Sequence, residues 1–293
     1  MEKSNARLLS LDILRGLTII LMIIVNDPGS WDHVYPPLLH ADWNGLTPTD
    51  YIFPTFLFIV GVSIVLSMTK QSEKGLTREQ LVKKVLLRSL KIYLLGLFLW
   101  LWPSFDFGQI RWVGVLPRIS LVFMICALLF LYIKRNTQLI ISSVILLSYW
   151  LVMKYLPVPG IGMPDLSLPE KNWANYLDLN FLPGYLWRKT WDPEGILSSF
   201  PALVTGLIGM MAGFILVSKA QLIDKLLKLF NFVFFLWVFR FKLFKITANA
   251  DDFFIIIGDC NSIKSFAFWT NSSCNELKLL LIHSISLIIF FVV

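Results

Sequence analysis

Long apolar segments separated by short polar connectors dominate the first three quarters of the chain. A helix needs about 20 predominantly apolar residues to cross the hydrocarbon core of a bilayer. Six segments approach or exceed that length and carry few charges, so we predict six membrane-spanning helices. They cover residues 8–25, 51–68, 85–102, 112–133, 136–153 and 195–217. With the shorter apolar runs that follow, about seven to nine transmembrane helices can be drawn.

The composition supports this layout. Of the 293 residues, 56% are hydrophobic and 15% are charged, whereas soluble domains carry about 25% charged residues. These values exclude a disordered chain and make an ordinary soluble enzyme a poor description. We therefore predict an all-α fold, a polytopic membrane helix bundle.

The positive residues are distributed unevenly between the two predicted sides of the membrane. Fifteen lysines and arginines fall on the side of the N-terminus and six on the other. Because cytoplasmic loops are enriched in positive residues, the N-terminus is predicted to be cytoplasmic. Loops 26–50, 103–111 and 154–194 then face outward. The net charge of +7 is thus interpreted as membrane topology, and we expect no nucleic-acid partner.

The pattern changes after about Phe230. Thirteen of the 24 phenylalanines lie in residues 230–293, and the apolar runs there are short and interrupted. We predict a membrane core over residues 1–229 and an atypical C-terminal tail over 230–293. A disruption of the reading frame near residue 230 is our preferred explanation, and a divergent pair of terminal helices is the alternative.

The predicted outward loop 26–50 holds the densest cluster of polar and aromatic residues. It contains His33 and His40, and histidine can transfer protons near neutral pH. Nearby carboxylates and amides can orient a histidine or hold a polar substrate, and tryptophan can stack on a sugar ring. The alternative is a wetted interfacial loop with tryptophans in the aromatic belt. The candidates besides His40 are Asn26, Asp27, Asp42, Trp43, Asn44 and Asp50.

A basic patch lies on the predicted inward side, at Lys83, Lys84, Arg88 and Lys91. It can bind a phosphorylated cofactor, but the residues by themselves favour the alternative of membrane topology and contacts with lipid phosphates. The three cysteines have no metal-ligand spacing, and we expect no metal site.

Two further charged positions lie close to predicted helix ends. Asp12 and Arg15 are three residues apart and share a helix face, which suits a local ion pair or a functional role inside the bundle. Arg118 is an isolated charge that pairs with a carboxylate, binds an anion or extends to the membrane surface.

Four ordered blocks of sequence resemble one known family over about residues 7–217. They are SLDILRG at 10–16 leading to Asn26, HADWNGLT at 40–47 with Asp50, RWVGVLPR at 111–118, and WDPEG at 191–195. Together they are similar to the heparan-α-glucosaminide N-acetyltransferase family and its bacterial relatives. That family has about ten or eleven helices, so the resemblance implies a chain truncated relative to it. Pro117 stands where the family usually has a polar residue.

The resemblance implies a transmembrane acetyl transfer. Acetyl-CoA is the cytoplasmic donor, and the amine of a glucosamine-type sugar on the far side is the acceptor. His40 matches the essential histidine and Asn26 a functional asparagine. His40 is then a general base or a covalent acetyl carrier, with Asn26 at the oxyanion and Asp50 or Asp42 orienting His40.

Further roles follow from the same resemblance. Substrate contacts are expected from Asp27, Asp42, Trp43, Asn44, Asp192 and Glu194. Contacts to CoA are expected from Arg15, Lys83, Lys84, Arg88 and Arg118. We expect a bacterial inner membrane, lipids as neighbours, and a homodimer as a hypothesis, since Gly209 and Gly213 permit close helix contact. A sugar carrier without enzymatic activity and an inactive remnant are the alternatives.

Overall fold

The computed structural model describes residues 9–41, 43, 47–102 and 104–232. Within these residues the chain forms α-helices and short 3-10 turns, and it has no β-strand beyond two isolated bridges. The helices are α1 (Leu9–Asn26), α2 (Ile52–Glu73), α3 (Arg78–Leu101), α4 (Val115–Tyr132), α5 (Arg135–Tyr155), α6 (Trp173–Phe181) and α7 (Ser199–Val217). Residues 222–232 are also helical. The all-α prediction is confirmed.

The chain divides into two compact units. One comprises residues 1–59 and 218–293, and the other residues 60–217. The predicted boundary at residue 230 stays a prediction, because nearly all of the predicted tail lies outside the described residues.

Within the residues that the structure describes, five helical segments are long and apolar enough to cross a membrane. They are Leu9–Asn26, Pro48–Glu73, Val115–Tyr132, Arg135–Tyr155 and Ser199–Val217. Each coincides with a predicted span. The sixth predicted span, 85–102, lies in α3, which is not among the five because charged residues fill its first half.

α3 begins seven residues before the predicted start. Thr77 caps it: the Thr77 hydroxyl accepts a hydrogen bond from the Gln80 amide at 3.4 Å, and the Gln80 side chain accepts one from the Thr77 amide at 3.1 Å. This capping box satisfies two backbone donors at the helix start. The predicted span follows the apolar run, which begins only after this cap and the charged first turns.

Small residues bring α7 close to its neighbours in the unit formed by residues 60–217. A Cβ atom at Gly61 would overlap the carbonyl oxygen of Gly206, and one at Gly213 would lie 2.9 Å from Cβ of Val65. In membranes, helices associate by such close packing rather than by the hydrophobic effect. Gly213, one of the two glycines from which a homodimer was inferred, thus packs against a helix of the same chain. The homodimer stays a prediction.

α3 and α4 are joined along their length. Ser89 and Ser120 exchange hydrogen bonds with each other's backbone carbonyls, at 3.2 and 2.7 Å. Gly96 faces Pro117, where an added Cβ would lie 2.6 Å from Cδ of the proline. Pro117 therefore packs on α3, and residues near the start of α4 have a fixed position.

The loop between α3 and α4 meets the long segment between α5 and α7. Arg111 and Gly184 form an antiparallel bridge, and the amide of Tyr185 donates to the carbonyl of Ile110 at 3.0 Å. Gly184 has φ +88°, which favours glycine. The predicted outward loops 103–111 and 154–194 therefore meet at one end of the helices in this unit.

Candidate functional site

His40 and Asp50 form a pair in the loop that follows α1. Nδ1 of His40 lies 2.7 Å from Oδ1 of Asp50. Asp50 is held by a capping box, since its Oδ2 accepts hydrogen bonds from the Thr47 amide at 2.8 Å and the Thr47 hydroxyl at 3.0 Å. The amide of Ala41 also donates to Oδ2, at 3.3 Å. Hydrogen bonds within the loop thus position the Asp50 carboxylate independently of its contact with His40.

This geometry defines which nitrogen of His40 can react. An ionised carboxylate only accepts hydrogen bonds, so the nitrogen facing Asp50 carries the proton and Nε2 is the basic nitrogen. The His40 side chain is 54% exposed, whereas that of Asp50 is 21% exposed. A general base oriented by a carboxylate and open on its other side can accept a proton from a bound nucleophile.

The structure describes three of the other five predicted residues of this loop. Asn26 ends α1, and its side-chain amide donates to the carbonyl of Met22 at 2.8 Å. Asp27 follows directly, with its backbone amide bonded to Ile23. Trp43 is half-buried. Asp42 and Asn44 lie outside the described residues, so their predicted roles have no structural description.

Arg15, a predicted CoA contact, pairs with Asp12. Their side chains form an ion pair at 3.3 Å, and both are 38% exposed. The structure thus contains the local pair, and a functional role inside the bundle stays a prediction.

A buried charge cluster occupies the joined loops of the other unit. Arg111 donates to Asp192 from Nε and Nη2, at 2.7 and 2.6 Å, and also donates to Glu194. The guanidinium lies 5.7 Å from the ring centre of Trp100 and 5.2 Å from that of Trp187. Arg111 is thus enclosed by two carboxylates and two aromatic rings. Sequence analysis did not assign it a role.

The two carboxylates of this cluster differ in character. Burial raises the pKa of Glu194 above its ordinary value, although Arg111 opposes this. Burial also acts on Asp192, but hydrogen bonds and charge from Arg111 outweigh it and lower the Asp192 pKa. The Asp192 side chain is fully buried and that of Glu194 is 16% exposed. The substrate contact of Asp192 stays a prediction, and Glu194 is the more accessible of the two.

Asp178 holds the segment that carries this cluster. Its carboxylate accepts hydrogen bonds from the amides of Asp192 at 3.2 Å and Ile196 at 2.9 Å. A Cβ at Gly195 would overlap this carboxylate, so any other residue there must displace the Asp178 side chain. Sequence analysis missed Asp178, because a lone acidic residue 14 positions from Asp192 gives no pattern.

Arg118 lies beneath the same segment. Its Nη2 donates to the carbonyl of Gly195 at 3.2 Å and to the hydroxyl of Ser198. Its Nε is buried without a hydrogen-bond partner. The predicted extension to the membrane surface is disfavoured, since Arg118 is buried at 9% exposure, and the contact with an anion stays a prediction.

A cavity of about 490 Å³ adjoins Arg118 and Glu194. Its walls come mainly from α3 and α4 and are largely apolar, with Leu86, Leu90, Leu121 and Met124 among them. The volume is within the usual range for ligand pockets.

The predicted basic patch lies on the exposed surface of α3. Lys83, Lys84 and Arg88 are all exposed. Lys84 donates to the side chain of Gln71 at 3.2 Å, and Arg88 lies 5.0 Å from the ring centre of Phe123. Three cations on consecutive turns can together contact a phosphorylated ligand.

Comparisons with known proteins identify one family. A family model described as "Heparan-alpha-glucosaminide N-acetyltransferase, catalytic" matches residues 7–241. The chain is 30% identical to heparan-alpha-glucosaminide N-acetyltransferase of Mus musculus over 331 aligned residues, which cover 96% of this chain and 49% of that protein. It is 30% identical to the Homo sapiens protein over 293 aligned residues, covering 83% and 44%. The chain thus spans about half the length of the curated relatives it matches.

Proposed function

The chain belongs to the heparan-alpha-glucosaminide N-acetyltransferase family, and from that premise we propose that it is a membrane-bound acetyltransferase. It transfers the acetyl group of acetyl-CoA to the amine of a glucosamine-type sugar. The observation that carries the proposal is the His40–Asp50 pair at 2.7 Å, located in the block that most resembles the family.

The pair can perform the chemistry that this transfer needs. A sugar amine must be neutral to attack the thioester carbonyl, and Nε2 of His40 accepts the proton that the attacking nitrogen loses. The new C–N bond forms, the C–S bond breaks, and CoA leaves as the thiolate, which takes a proton. Asp50 stabilises the imidazolium, as in other histidine–carboxylate pairs. Such base catalysis contributes typically 10²–10⁴-fold.

A covalent variant uses the same residues. His40 Nε2 attacks the thioester first, and the acetyl-imidazole then reacts with the amine. In both variants Asn26 is the proposed donor to the oxyanion. Its amide would then exchange the carbonyl of Met22 for the substrate oxygen.

Positive side chains supply the proposed donor site. Lys83, Lys84 and Arg88 are exposed together on α3, and ammonium and guanidinium groups bind phosphates. We propose that they contact the phosphates of CoA. Arg15 belongs to the same set from the resemblance alone.

Acidic and aromatic side chains supply the proposed acceptor site. A glucosamine carries an ammonium before reaction, and Asp27 can pair with it. Trp43 can stack on the sugar ring, and Asp42 and Asn44 complete the set. In the other unit, Asp192 and Glu194, which the resemblance also implies as substrate contacts, are paired with Arg111.

The orientation completes the proposal. With the N-terminus in the cytoplasm of a bacterial inner membrane, loop 26–50 faces outward and the basic patch faces the cytoplasm. The bias of positive residues supports this orientation.

The test is acetyl transfer by membranes that contain the chain. Radiolabelled acetyl-CoA and glucosamine are expected to give N-acetylglucosamine with the wild type, and His40→Ala is expected to abolish the product. His33→Ala is the matched control, since His33 is an exposed histidine of the same loop with no proposed role. An active His40→Ala variant contradicts the base and carrier roles, and glucosamine flux without acetyl-CoA indicates a carrier instead.

A further inference from the structure

The cavity beside α3 and α4 opens on the outer surface of these helices. Three of its wall residues are largely exposed: Leu86 at 45%, Leu90 at 53% and Leu121 at 40%. When α4 spans a membrane, hydrocarbon chains surround this opening. The apolar part of the cavity therefore suits an aliphatic chain better than a ligand that contains amide groups, because buried amides need hydrogen-bond partners.

Most polar groups in the cavity walls are already hydrogen-bonded. The hydroxyl of Tyr93 donates to the carbonyl of Trp112 at 3.2 Å, and Ser89 and Ser120 bond to each other's backbone. The polar end of the cavity is left to Arg118 and Glu194.

Arg118 has hydrogen-bonding capacity that the chain leaves unused. Its side chain bonds to two neutral oxygen atoms through Nη2 only. Nε is buried with no acceptor, and no carboxylate of the part of the chain that the structure describes lies within ion-pair distance of Arg118. Arg118 lines the cavity and its charge is met only by neutral oxygen atoms, so an anionic acceptor group on a ligand is favourable here.

Glu194 sets a second requirement. It lies in the same cavity wall and shares Arg111 with Asp192, and the Asp178 carboxylate lies on the amides of Asp192 and Ile196. This corner therefore has three carboxylates for the two guanidinium groups of Arg111 and Arg118. A ligand that brings only negative charge to Arg118 is repelled by Glu194. A ligand with a phosphate for Arg118 and a positive group for Glu194 matches both.

We propose that the cavity binds one phospholipid whose head carries a phosphate and a primary ammonium. Its acyl chain lies against Leu90, Leu121 and Met124. The phosphate accepts hydrogen bonds from Arg118, and the ammonium donates to Glu194. This lipid is a bound constituent of the fold and is separate from the acetyl donor and acceptor of the proposed function.

The experiment is lipid binding to the purified full chain by native mass spectrometry. The probes are phosphatidylethanolamine, phosphatidylcholine and phosphatidylglycerol with identical acyl chains, added in equal amounts. Phosphatidylethanolamine is expected to remain bound at least about ten-fold more than the other two, because only its ammonium can donate a charged hydrogen bond to Glu194. Glu194→Gln is expected to remove most of this preference.

Two tryptophan substitutions separate cavity binding from the general lipid coat. Leu90→Trp fills the cavity and is expected to abolish retention. Leu87→Trp is the matched control, since Leu87 is 49% exposed on the same helix and does not line the cavity. Both positions are exposed, so both variants are expected to fold, and this conclusion does not depend on the Glu194→Gln variant.

Other results overturn the proposal. Equal retention by the two tryptophan variants shows a nonspecific lipid coat. Equal binding of phosphatidylglycerol or phosphatidylcholine contradicts the primary-ammonium head. Displacement by acetyl-CoA assigns the cavity to the donor, whereas failure of acetyl transfer with lipid binding intact contradicts only the proposed function.

Discussion

The His40–Asp50 pair and the Arg111–Asp192–Glu194 cluster use similar chemical groups in opposite ways. His40 and Asp50 are ten residues apart in one loop, and the His40 side chain is 54% exposed. Arg111 and Asp192 are 81 residues apart, and their side chains are 11% and 0% exposed. The first pair is built by a local turn and the second by the meeting of two distant loops.

This difference separates reactivity from support. An exposed histidine with one nitrogen anchored can contact a substrate, while its hydrogen bond adds little to stability. A buried, multiply bonded guanidinium has little room for a ligand, but removing it leaves buried carboxylates without a cation. We therefore expect substitutions in the loop to affect activity, and substitutions in the cluster to affect unfolding.

The largest effect is expected from Asp50→Asn. An amide in place of the carboxylate can donate to His40 Nδ1, which favours the wrong tautomer and removes the charge that stabilises the imidazolium. Acetyl transfer should fall by about 10²–10⁴-fold, with little change in the unfolding temperature. Asp32→Asn, an exposed substitution in the same loop, is the control, and equal activities of the two variants would contradict the role of Asp50.

The next effect is expected from Arg111→Met. The substitution keeps the side-chain volume but leaves Asp192 buried without its cation, which costs about 3–5 kcal/mol. Denaturant unfolding in detergent measures this loss. Arg188→Met is the control, because Arg188 lies in the same loop region and is exposed. If both variants unfold alike, the cluster is not the supporting element that its burial indicates.

A smaller effect is expected from Gly195→Ala. The added methyl group overlaps the carboxylate of Asp178, which must move away from the amides of Asp192 and Ile196. Overpacking of this kind costs about 1–3 kcal/mol. Gly160→Ala is an informative comparison, since an added Cβ there meets open space but the residue has φ +78°. An unfolding free energy unchanged by Gly195→Ala would show that this segment relaxes freely.

The smallest effect is a dependence on pH. The Asp192 pKa is lowered from 3.8, so its stabilisation is present above pH 3.8 and is lost as pH falls through the folded-state pKa. The difference in unfolding free energy between wild type and Asp192→Asn should therefore shrink below pH 3.8. Glu194 should behave oppositely: its pKa is raised from 4.5, so Glu194→Gln should gain on the wild type as pH rises above 4.5. A pH-independent difference for both variants would separate the cluster from ionisation.

The features that the sequence predicted correctly are those determined over short distances. The apolar runs locate five membrane-length helices, because the polarity of a segment can be determined along the chain without knowledge of its tertiary contacts. The capping box of Thr47–Asp50 is also local and places Asp50 beside His40, while the role of Asp50 stays a prediction. α3 begins earlier than the predicted span because its first turns are charged, and only the capping box of Thr77 indicates where the helix starts.

The features that sequence analysis missed depend on distant contacts. Nothing in residues 103–114 indicates that Arg111 will meet Asp192, since many pairings of charges are compatible with the same sequence. Asp178 is missed for the same reason, because its partners are backbone amides, which every residue has. The cavity arises from the spacing of α3 and α4 and has no sequence pattern of its own.

The bond between Arg111 and Asp192 also carries information about biogenesis. It closes a loop of 81 residues that contains α4, α5 and α6. Transmembrane helices insert before they associate, and closing a loop of this length costs more entropy than forming a local turn. Arg111 therefore lacks its carboxylate partner until the ribosome has synthesised the next two membrane helices. During that interval the unpaired guanidinium of Arg111 distinguishes the nascent protein from the folded one, and cellular quality control can recognise this difference.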